Sequence, residues 1–571
     1  MHALDLIVLF GTLGFITIYG IIKTRGQHDM HSYLRSGGEK KWWAICVSII
    51  ATQASAITFI SVPGQAYESG MGYIQIYFGL PLAMIVISAV FIPMFYKLNV
   101  YTAYEYLEQR FDLRTRSFVA FLFLISRGIG ASLAIYAPAI ILSTILGFNL
   151  KLMCLLIGLV VIIYIYSGGE KAVGKTQLLQ MIVILSGMGV ALVMLIHYLP
   201  ANVSVLKATY LAGKLGKMKP VDTHFNLSER YNIWAGLIGG FFLSLSYFGT
   251  DQSQVSRYLG GTSVNESKLG LFFNGIVKIP MQFFILFIGV MMYVFFIFNP
   301  SPVFFNYKAL EKANLSVEVK QQIADKEQEH SQIELQRKAA AIDVVNAQGT
   351  PLEEASINTM QALEEKDKAI REDVKQIIKK NAPEVETKDT DYVFLDFILN
   401  NLPQGLVGLL LAVMFCAAMS ATAGQISSLA STSIVDFYKR SFRKGKHDSH
   451  YVNATKFATL VWGAIIIGFA VSVPLFDNLI QAVNKIGSLF YGTILGVFLV
   501  AFFLKQVRSN AVFYAALISE ACIVSLSLID NEKTISYLWY NLIGPIIVVI
   551  ISLLLQLIQN SFKGQKPAIN P

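Results

Sequence analysis

A chain of 571 residues that is 54% hydrophobic and only 15% charged, with a mean hydropathy of +0.54, falls outside the soluble and disordered classes and among polytopic membrane proteins. A net charge of +9 would point to nucleic acid in a soluble protein. Here no nucleic-acid partner is expected, because the basic residues gather in loops between apolar runs and membrane topology accounts for them.

The first apolar run, Leu4 to Ile22, has neither a basic leader nor a small-residue cleavage site, so it reads as a retained span. Further runs of membrane length fall at 42–63, 73–96, 117–146, 150–166, 178–199, 232–250, 269–298, 399–435, 455–475, 480–504, 510–528 and 535–557, giving about thirteen spans. Basic clusters follow alternate spans: Lys23, Arg25, Arg35, Lys40 and Lys41, then Lys97, Arg110, Arg114 and Arg116, later Lys439, Arg440, Arg443, Lys444 and Lys446. The short loops between them, Gln65 to Gly72 and Asp477 to Asn478, carry almost none. This pattern predicts a multi-pass protein of the plasma membrane with its N-terminus outside and its tail, with Lys563 and Lys566, in the cytoplasm. Cys46, Cys154, Cys416 and Cys522 all sit in apolar runs without a CxxC pair and are expected to be core residues rather than metal ligands or disulfides.

The second run, WWAICVSIIATQASAITFISVPGQAY from Trp42 to Tyr67, carries Thr52, Gln53, Ser55, Thr58 and Ser61 and then Pro63-Gly64. Hydrocarbon cannot satisfy backbone interrupted at that depth. Interrupted spans line cavities where carbonyls and half-helix ends hold ions and solutes, although close helix packing also favours small residues. In the fourth run, Arg127 has no acid in its own span. An intramembrane arginine faces the bundle interior, and its planar fork suits a ligand carboxylate; the other reading is a structural arginine paired with a distant acid.

Residues 169–176 match G-x-x-x-x-G-K-T through Gly169, Gly174, Lys175 and Thr176. A P-loop needs a parallel sheet behind it, and both flanks here are membrane spans. The match is therefore read as a coincidence in a cytoplasmic loop. A second break, Ser244-Leu245-Ser246-Tyr247-Phe248-Gly249-Thr250-Asp251, falls in the seventh run, at the place in the second half that the first break holds in the first. Paired breaks of this kind point to a transporter with inverted repeats. Residues 305–391 depart from the apolar pattern: two charged amphipathic helices around a Gly349-Thr350-Pro351 turn predict a hairpin projecting from the non-cytoplasmic face. It is read as a solvated appendage, with an unknown partner as the alternative. The ninth run, CAAMSATAGQISSLASTSIVDFYKR, has hydroxyls suited to a hard cation. No Ser, His and acid set or carboxylate pair stands out, so no catalysis and no organic cofactor are expected.

The stretches ATQASAITFISVPGQAYESG, TAYEYLEQRFDLRTR, GTDQSQVSRYL, the ninth run and GSLFYGTILG, in that order, resemble the sodium:solute symporters. The resemblance implies an all-α membrane protein with a leucine-transporter-like five-plus-five inverted repeat. On that frame residues 1–41 are an extra helix and loop, 42–199 the first repeat, 200–231 an extracellular loop, 232–504 the second repeat carrying the hairpin, and 505–571 two further helices and the tail. The family's main sodium site falls on the carbonyls of Ala51, Ala54 and Ala417 and the hydroxyl of Ser420. Its second hydroxyl position is Ala421, and Thr422 stands about 100° further round the helix. Losing that ligand costs about 1–3 kcal/mol, so one weakened sodium site is expected. The aspartate of the second sodium site is replaced by Gln177, and Lys175 nearby is a candidate cation substitute, which keeps sodium-independent or proton-coupled transport open. Arg127 resembles the carboxylate-binding arginine of the sialic-acid members. Ser55, Thr58 and Gln75 accompany it, Ser244 belongs to the second break, and Tyr247 with Phe248 resembles the inner gate of sugar members. The function implied is sodium-coupled symport of a small, carboxylated, hydrophilic solute across the bilayer; a sensor that kept the transporter fold is the alternative.

Overall fold

Without water to bond exposed N–H and C=O groups, a membrane-length apolar chain must satisfy them internally, and helices do this segment by segment. The computed structural model describes residues 2–23, 30–35, 38–98, 100–312, 315–383, 385, 387, 389–472, 479–530 and 534–562. Among these every regular element is helical, apart from one isolated bridge between Lys40 and Gly261. Among the described residues ten helices are long and apolar enough to cross a membrane, and three further apolar helices are shorter. Arg25, the Asp477 to Asn478 loop and the tail with Lys563 and Lys566 lie outside the described residues.

In chain order the elements that matter are α1 (Ala3–Lys23), α2 (Trp42–Gln53), α3 (Ala56–Ser69), α4 (Leu80–Val86), α5 (Ile92–Leu98), α6 (Leu113–Leu146), α7 (Leu150–His197), α8 (Gly240–Gly249), α9 (Gln252–Leu259) and α10 (Val264–Phe298). Then follow α11 (Val317–Asn346), α12 (Glu353–Asn381), α13 (Thr390–Asn401), α14 (Leu406–Thr432), α15 (Asp448–Ser472), α16 (Leu479–Phe503), α17 (Ser509–Asp530) and α18 (Tyr540–Phe562). Both expected interruptions are present: α2 and α3 are parted at Ala54 and Ser55, α8 and α9 at Thr250 and Asp251. The first differs in position from the Pro63-Gly64 stop. Pro63 lies inside α3, and the chain unwinds nine residues earlier, where Ala54 and Ser55 adopt ψ of 77° and 171°.

Gly64 has a packing role instead. A Cβ there would lie 1.9 Å from the Thr390 carbonyl oxygen at the start of α13. Gly289 of α10 meets the Pro63 carbonyl in the same way, at 2.2 Å. Close approach through small residues is how apolar helices associate when no hydrophobic effect drives them together. The α14 helix, buried along almost its whole length, packs against α7, α6, α3 and α1. The broken pairs lie in this centre: α3 contacts α10, α13 and α14, and α8 contacts α4 and α16.

Two expectations change here. Residues 169–176 do not form a loop: α7 runs from Leu150 to His197 and bends at Gly169, whose φ of 53° interrupts an otherwise helical backbone. Glycine is required there twice over, since a Cβ would also meet the Tyr33 ring at 2.8 Å. The hairpin, α11 and α12, does not project freely. Its turn end is fastened to the helix Val205–Lys214 by Glu353, which pairs with Lys214 at 2.9 Å and accepts from the Tyr210 hydroxyl. Ala341, Val344 and Met360 join the main apolar core.

Between the hairpin helices lies a buried charge cluster outside the membrane spans. Arg337 pairs with Glu364 at 2.9 Å and Asp367 at 3.4 Å, Arg371 with Asp367 at 3.1 Å, and His330 with Asp367 at 2.8 Å and Glu334 at 3.3 Å. Burial disfavours the charged imidazole, but the Asp367 and Glu334 hydrogen bonds outweigh it and hold the His330 pKa above its ordinary value. Burial also opposes ionisation of Asp367, and His330, Arg371 and Arg337 together keep its carboxyl well below the usual range.

Gly64→Ala is expected to cost about 1–3 kcal/mol by overpacking, read as thermal unfolding of the purified protein, whereas Gly11→Ala, with nothing within 4 Å of its Cβ, leaves stability unchanged. A histidine whose folded pKa is raised gives stability that is complete below the unfolded value and is lost as pH rises through the folded one. Backbone amide exchange in 317–381, corrected for intrinsic rates, is therefore expected to accelerate as pH rises above the ordinary histidine value of about 6.5. His330→Gln flattens that response; an identical pH response in the variant excludes His330 as its source.

Candidate functional site

The unwound turn between α2 and α3 frees backbone groups in the middle of the bundle. Ser55 N–H, which a continuous helix would direct to Ala51, donates instead to the Gln53 carbonyl at 3.0 Å. The freed Ala51 carbonyl accepts from the Ser420 hydroxyl of α14 at 2.9 Å. Ala51, Ala54, Ala417, Ser420 and Thr422 are all fully buried, and the Thr422 hydroxyl has no hydrogen-bond partner among the described residues. Oxygens of this kind are what a hard monovalent cation needs. Among the described residues no cluster of His, Cys, Asp and Glu offers a transition-metal site.

At the second break, Asp251 caps α9. Its Oδ1 accepts from the Ser253 N–H at 2.8 Å and the Ser253 hydroxyl at 2.6 Å, an N-cap arrangement that satisfies an orphan donor of the new helix. Its Oδ2 pairs with Arg127 Nη2, which also bonds the Tyr491 hydroxyl. The Tyr247 ring lies 5.2 Å from the guanidinium carbon, close enough for a cation–π contribution, and its hydroxyl accepts from Gln254 Nε2 at 2.7 Å. Arg127 Nε is buried and has no partner among the described residues. The arginine thus has a protein counter-ion on one nitrogen and an uncommitted donor beside it.

Between the two breaks is a cavity with a polar lining. Thr52, Gln53, Ser55 and Thr58 line it from the first break, and Ser244, Tyr247 and Phe248 from the second. Arg127, Gln425, Asn484 and Tyr491 supply further polar groups, with Tyr73 and Tyr77 opposite. Of the residues expected to contact a solute, six line this cavity: Ser55, Thr58, Arg127, Ser244, Tyr247 and Phe248. Gln75 does not. Its amide donates to the carbonyls of Gly72 at 3.1 Å and Tyr231 at 2.7 Å and accepts from the Asp222 N–H at 2.9 Å, tying the following loop in place.

The two residues weighed as a cation substitute separate. Gln177 is buried, accepting from Ser48 at 2.5 Å and donating to Thr52 at 2.9 Å, so it braces α2 one turn below the break. Lys175, two positions earlier and therefore about 200° round the helix, is exposed and lines a separate groove with Lys40 and Lys171. Its side chain therefore lies in that groove and away from Gln177.

Sequence reasoning missed Asp251 as the partner of Arg127, together with Tyr491, Asn484 and Gln425. A helix-start signal existed for Asp251, since Asp followed by a new helix is a capping pattern. Lys278 of α10 was missed as well, although the rule that singled out Arg127 applies to any intramembrane cation. Its ammonium is buried without a hydrogen-bond partner among the described residues, 5.6 Å from the Tyr77 ring.

Comparisons with known proteins place this geometry. The model of the Sodium:solute symporter family matches residues 33–319 and 377–519. The Sodium/sialic acid symporter SiaT of Proteus mirabilis (strain HI4320) is 25% identical over 558 residues, covering 95% of this chain and 92% of the relative. The Sodium/sialic acid symporter NanT of Aliivibrio fischeri (strain ATCC 700601 / ES114) is 23% identical over 562 residues, covering 96% and 92%. Human Sodium-coupled monocarboxylate transporter 1 is 30% identical over 273 residues, covering 47% and 44%. Among solved structures, a substrate-bound, outward-open Na+-coupled sialic acid symporter superposes with a TM-score of 0.74 at 22% identity, over 98% of both chains. The fold is thus the leucine-transporter-like arrangement of that structure.

The Asp251 pairing makes Arg127 a part of the folded structure as well as of the cavity. Arg127→Ala leaves a buried carboxylate without its counter-ion and is expected to destabilise the purified protein by about 3–5 kcal/mol. Arg127→Ala combined with Asp251→Asn is expected to regain at least half of that loss in thermal unfolding. Purely additive losses would show that the two charges are not coupled.

Proposed function

The chain belongs to the sodium:solute symporter family, and from that premise we propose that it is a secondary active transporter coupling sodium entry to uptake of a carboxylated sugar of the sialic-acid class. The observation that carries the reading is Arg127, balanced by Asp251 and yet offering an unpartnered Nε at a cavity bounded by both helix breaks. A carboxylate there gains charge-assisted hydrogen bonds in a site of low dielectric. The hydroxyl and amide groups of Ser55, Thr58, Gln425 and Asn484 match a polyhydroxylated body, and the tyrosines match its apolar faces. The two relatives that cover 95% and 96% of this chain carry sialic acid in their names, against 86% for a mouse monocarboxylate transporter, which supports the sialic-acid class.

Sodium is proposed to bind at one site formed by the Ala51, Ala54 and Ala417 carbonyls and the Ser420 hydroxyl, with Thr422 as the nearest replacement for the hydroxyl that Ala421 lacks. The contact of Ser420 with Ala51 supports it. The proton-coupled alternative needed Lys175 beside Gln177, and the exposed position of Lys175 removes that support. The proposed repeats are 42–199 and 232–504. On the positive-inside rule the basic loops face the cytoplasm and the hairpin faces outward, where it serves to brace the outer ends of α3 and α10.

One sodium with one monoanionic solute moves no net charge. A membrane potential then leaves accumulation unchanged, whereas each further sodium adds about 2.3 kcal/mol per 100 mV, or roughly forty-fold in accumulation. Uptake of labelled N-acetylneuraminic acid into proteoliposomes is expected to require an inward sodium gradient at fixed pH and to respond little to an imposed potential. Uptake driven equally well by a proton gradient with choline in place of sodium would overturn sodium coupling. Strong potential dependence would overturn the single site, and sodium-driven uptake of labelled hexose without uptake of N-acetylneuraminic acid would overturn the solute class.

A further inference from the structure

Away from the solute cavity, a groove opens where α1, the start of α2 and the bend of α7 meet. Five lysines line it: Lys23 from the last turn of α1, Lys40 and Lys41 from the entry to α2, and Lys171 and Lys175 just beyond Gly169. Only one acid among the lining residues opposes them, Glu39, which is exposed and 3.4 Å from Lys171. Glu170, deeper in, lies 3.5 Å from Lys40 but is shared with Arg257. The groove therefore holds an excess of positive charge among the described residues, without the carboxylates that would make it a structural network.

The rest of its wall is largely apolar. Tyr19, Val47 and Leu178 contribute to it, and Trp43, 46% exposed, stands at its side. A tryptophan beside lysines at the ends of spans marks the headgroup level of a membrane. Lys171, Gly174 and Lys175 of the G-x-x-x-x-G-K-T match line the groove without forming a phosphate loop. The Thr176 hydroxyl is turned back onto the Ala172 and Val173 carbonyls at 3.0 and 3.1 Å, and Gly174 leaves room for Lys40, whose Cε would lie 3.1 Å from a Cβ there.

We propose that this groove is a binding site for an anionic phospholipid, its phosphate held by Lys41, Lys171 and Lys175 and its acyl chains lying along Trp43 and Leu178. A free phosphate matches the lysines but leaves the apolar wall without an occupant; a lipid matches both. The site adjoins the transport machinery through Lys40, whose N–H donates to Gly260 at 3.1 Å and whose carbonyl accepts from Thr262 at 3.1 Å, just after α9. A headgroup drawn to Lys40 competes with Glu170, and so acts on Arg257 of the second broken helix.

The test uses the full-length purified protein in detergent and follows quenching of its tryptophan fluorescence by dibromo-acyl phosphatidylglycerol against dibromo-acyl phosphatidylcholine. Wild type is expected to bind the anionic lipid at least tenfold more tightly. The variant carrying Lys41→Gln, Lys171→Gln and Lys175→Gln is expected to lose about a hundredfold in that affinity, at roughly fivefold per lysine; the matching Lys→Arg variant retains it. Equal affinity of wild type for the two lipids overturns the proposal whatever the variants do. So does displacement of the anionic lipid by millimolar inorganic phosphate, which would mark a free-anion site, or an unchanged affinity in a folded triple variant.

Discussion

A guanidinium in the middle of a membrane bundle has to be matched by negative charge, because hydrocarbon and close-packed protein both penalise an isolated ion. Arg127 meets that requirement through Asp251, from a helix more than a hundred residues away in sequence, and the match depends on the break between α8 and α9. A continuous helix would have no N-cap position there. With the break, Asp251 uses one oxygen to cap α9 through Ser253 and the other to neutralise Arg127. Helix interruption, ion pair and cavity are thus one construction, and removing any part exposes the others to an unmet charge or an unmet backbone group.

The first break works by a different balance. It contributes no charge, only oxygens released by unwinding, and α14 meets them with Ser420. The two helices come close where Gly424 of α14 lies against Thr52 of α2, whose Cγ2 would sit 3.2 Å from a Cβ at that glycine. Thr52 lines the cavity and is held by Gln177, so the proposed sodium and solute sites share α2 and α3. In that proposal each ligand stabilises an arrangement of the two half-helices that the other also contacts, which couples them.

Much of this was legible in the chain, for reasons tied to particular residues. Thr52, Gln53 and Ser55 inside an apolar run marked the first break, and Ser244 to Asp251 marked the second, because polar groups in hydrocarbon demand an explanation. The position of the first break was misjudged because Pro63 was read as the stop, whereas the freed carbonyls around it are accommodated inside α3. Residues 169–176 looked like a loop because Glu170, Lys171 and Lys175 are charged; those charges serve the basic groove and the pairing with Arg257 on a helix that continues past a glycine bend. The resting place of the hairpin could not be read at all. It depends on Glu353 finding Tyr210 and Lys214, contacts between segments far apart in the chain. The Arg127 to Asp251 pair was hidden in the same way, and so was the difference in burial between Lys175 and Gln177, which helical phase alone separates.

The most direct measurement is an experimental structure of the protein with N-acetylneuraminic acid and sodium bound. The solute carboxylate is expected within hydrogen-bonding distance of Arg127 Nε, with Asp251 still on Nη2 and the sugar body against Ser55, Thr58 and Asn484. A carboxylate bound away from Arg127, or a solute lodged outside the space between the two breaks, would contradict the assignment of this cavity as the transport site.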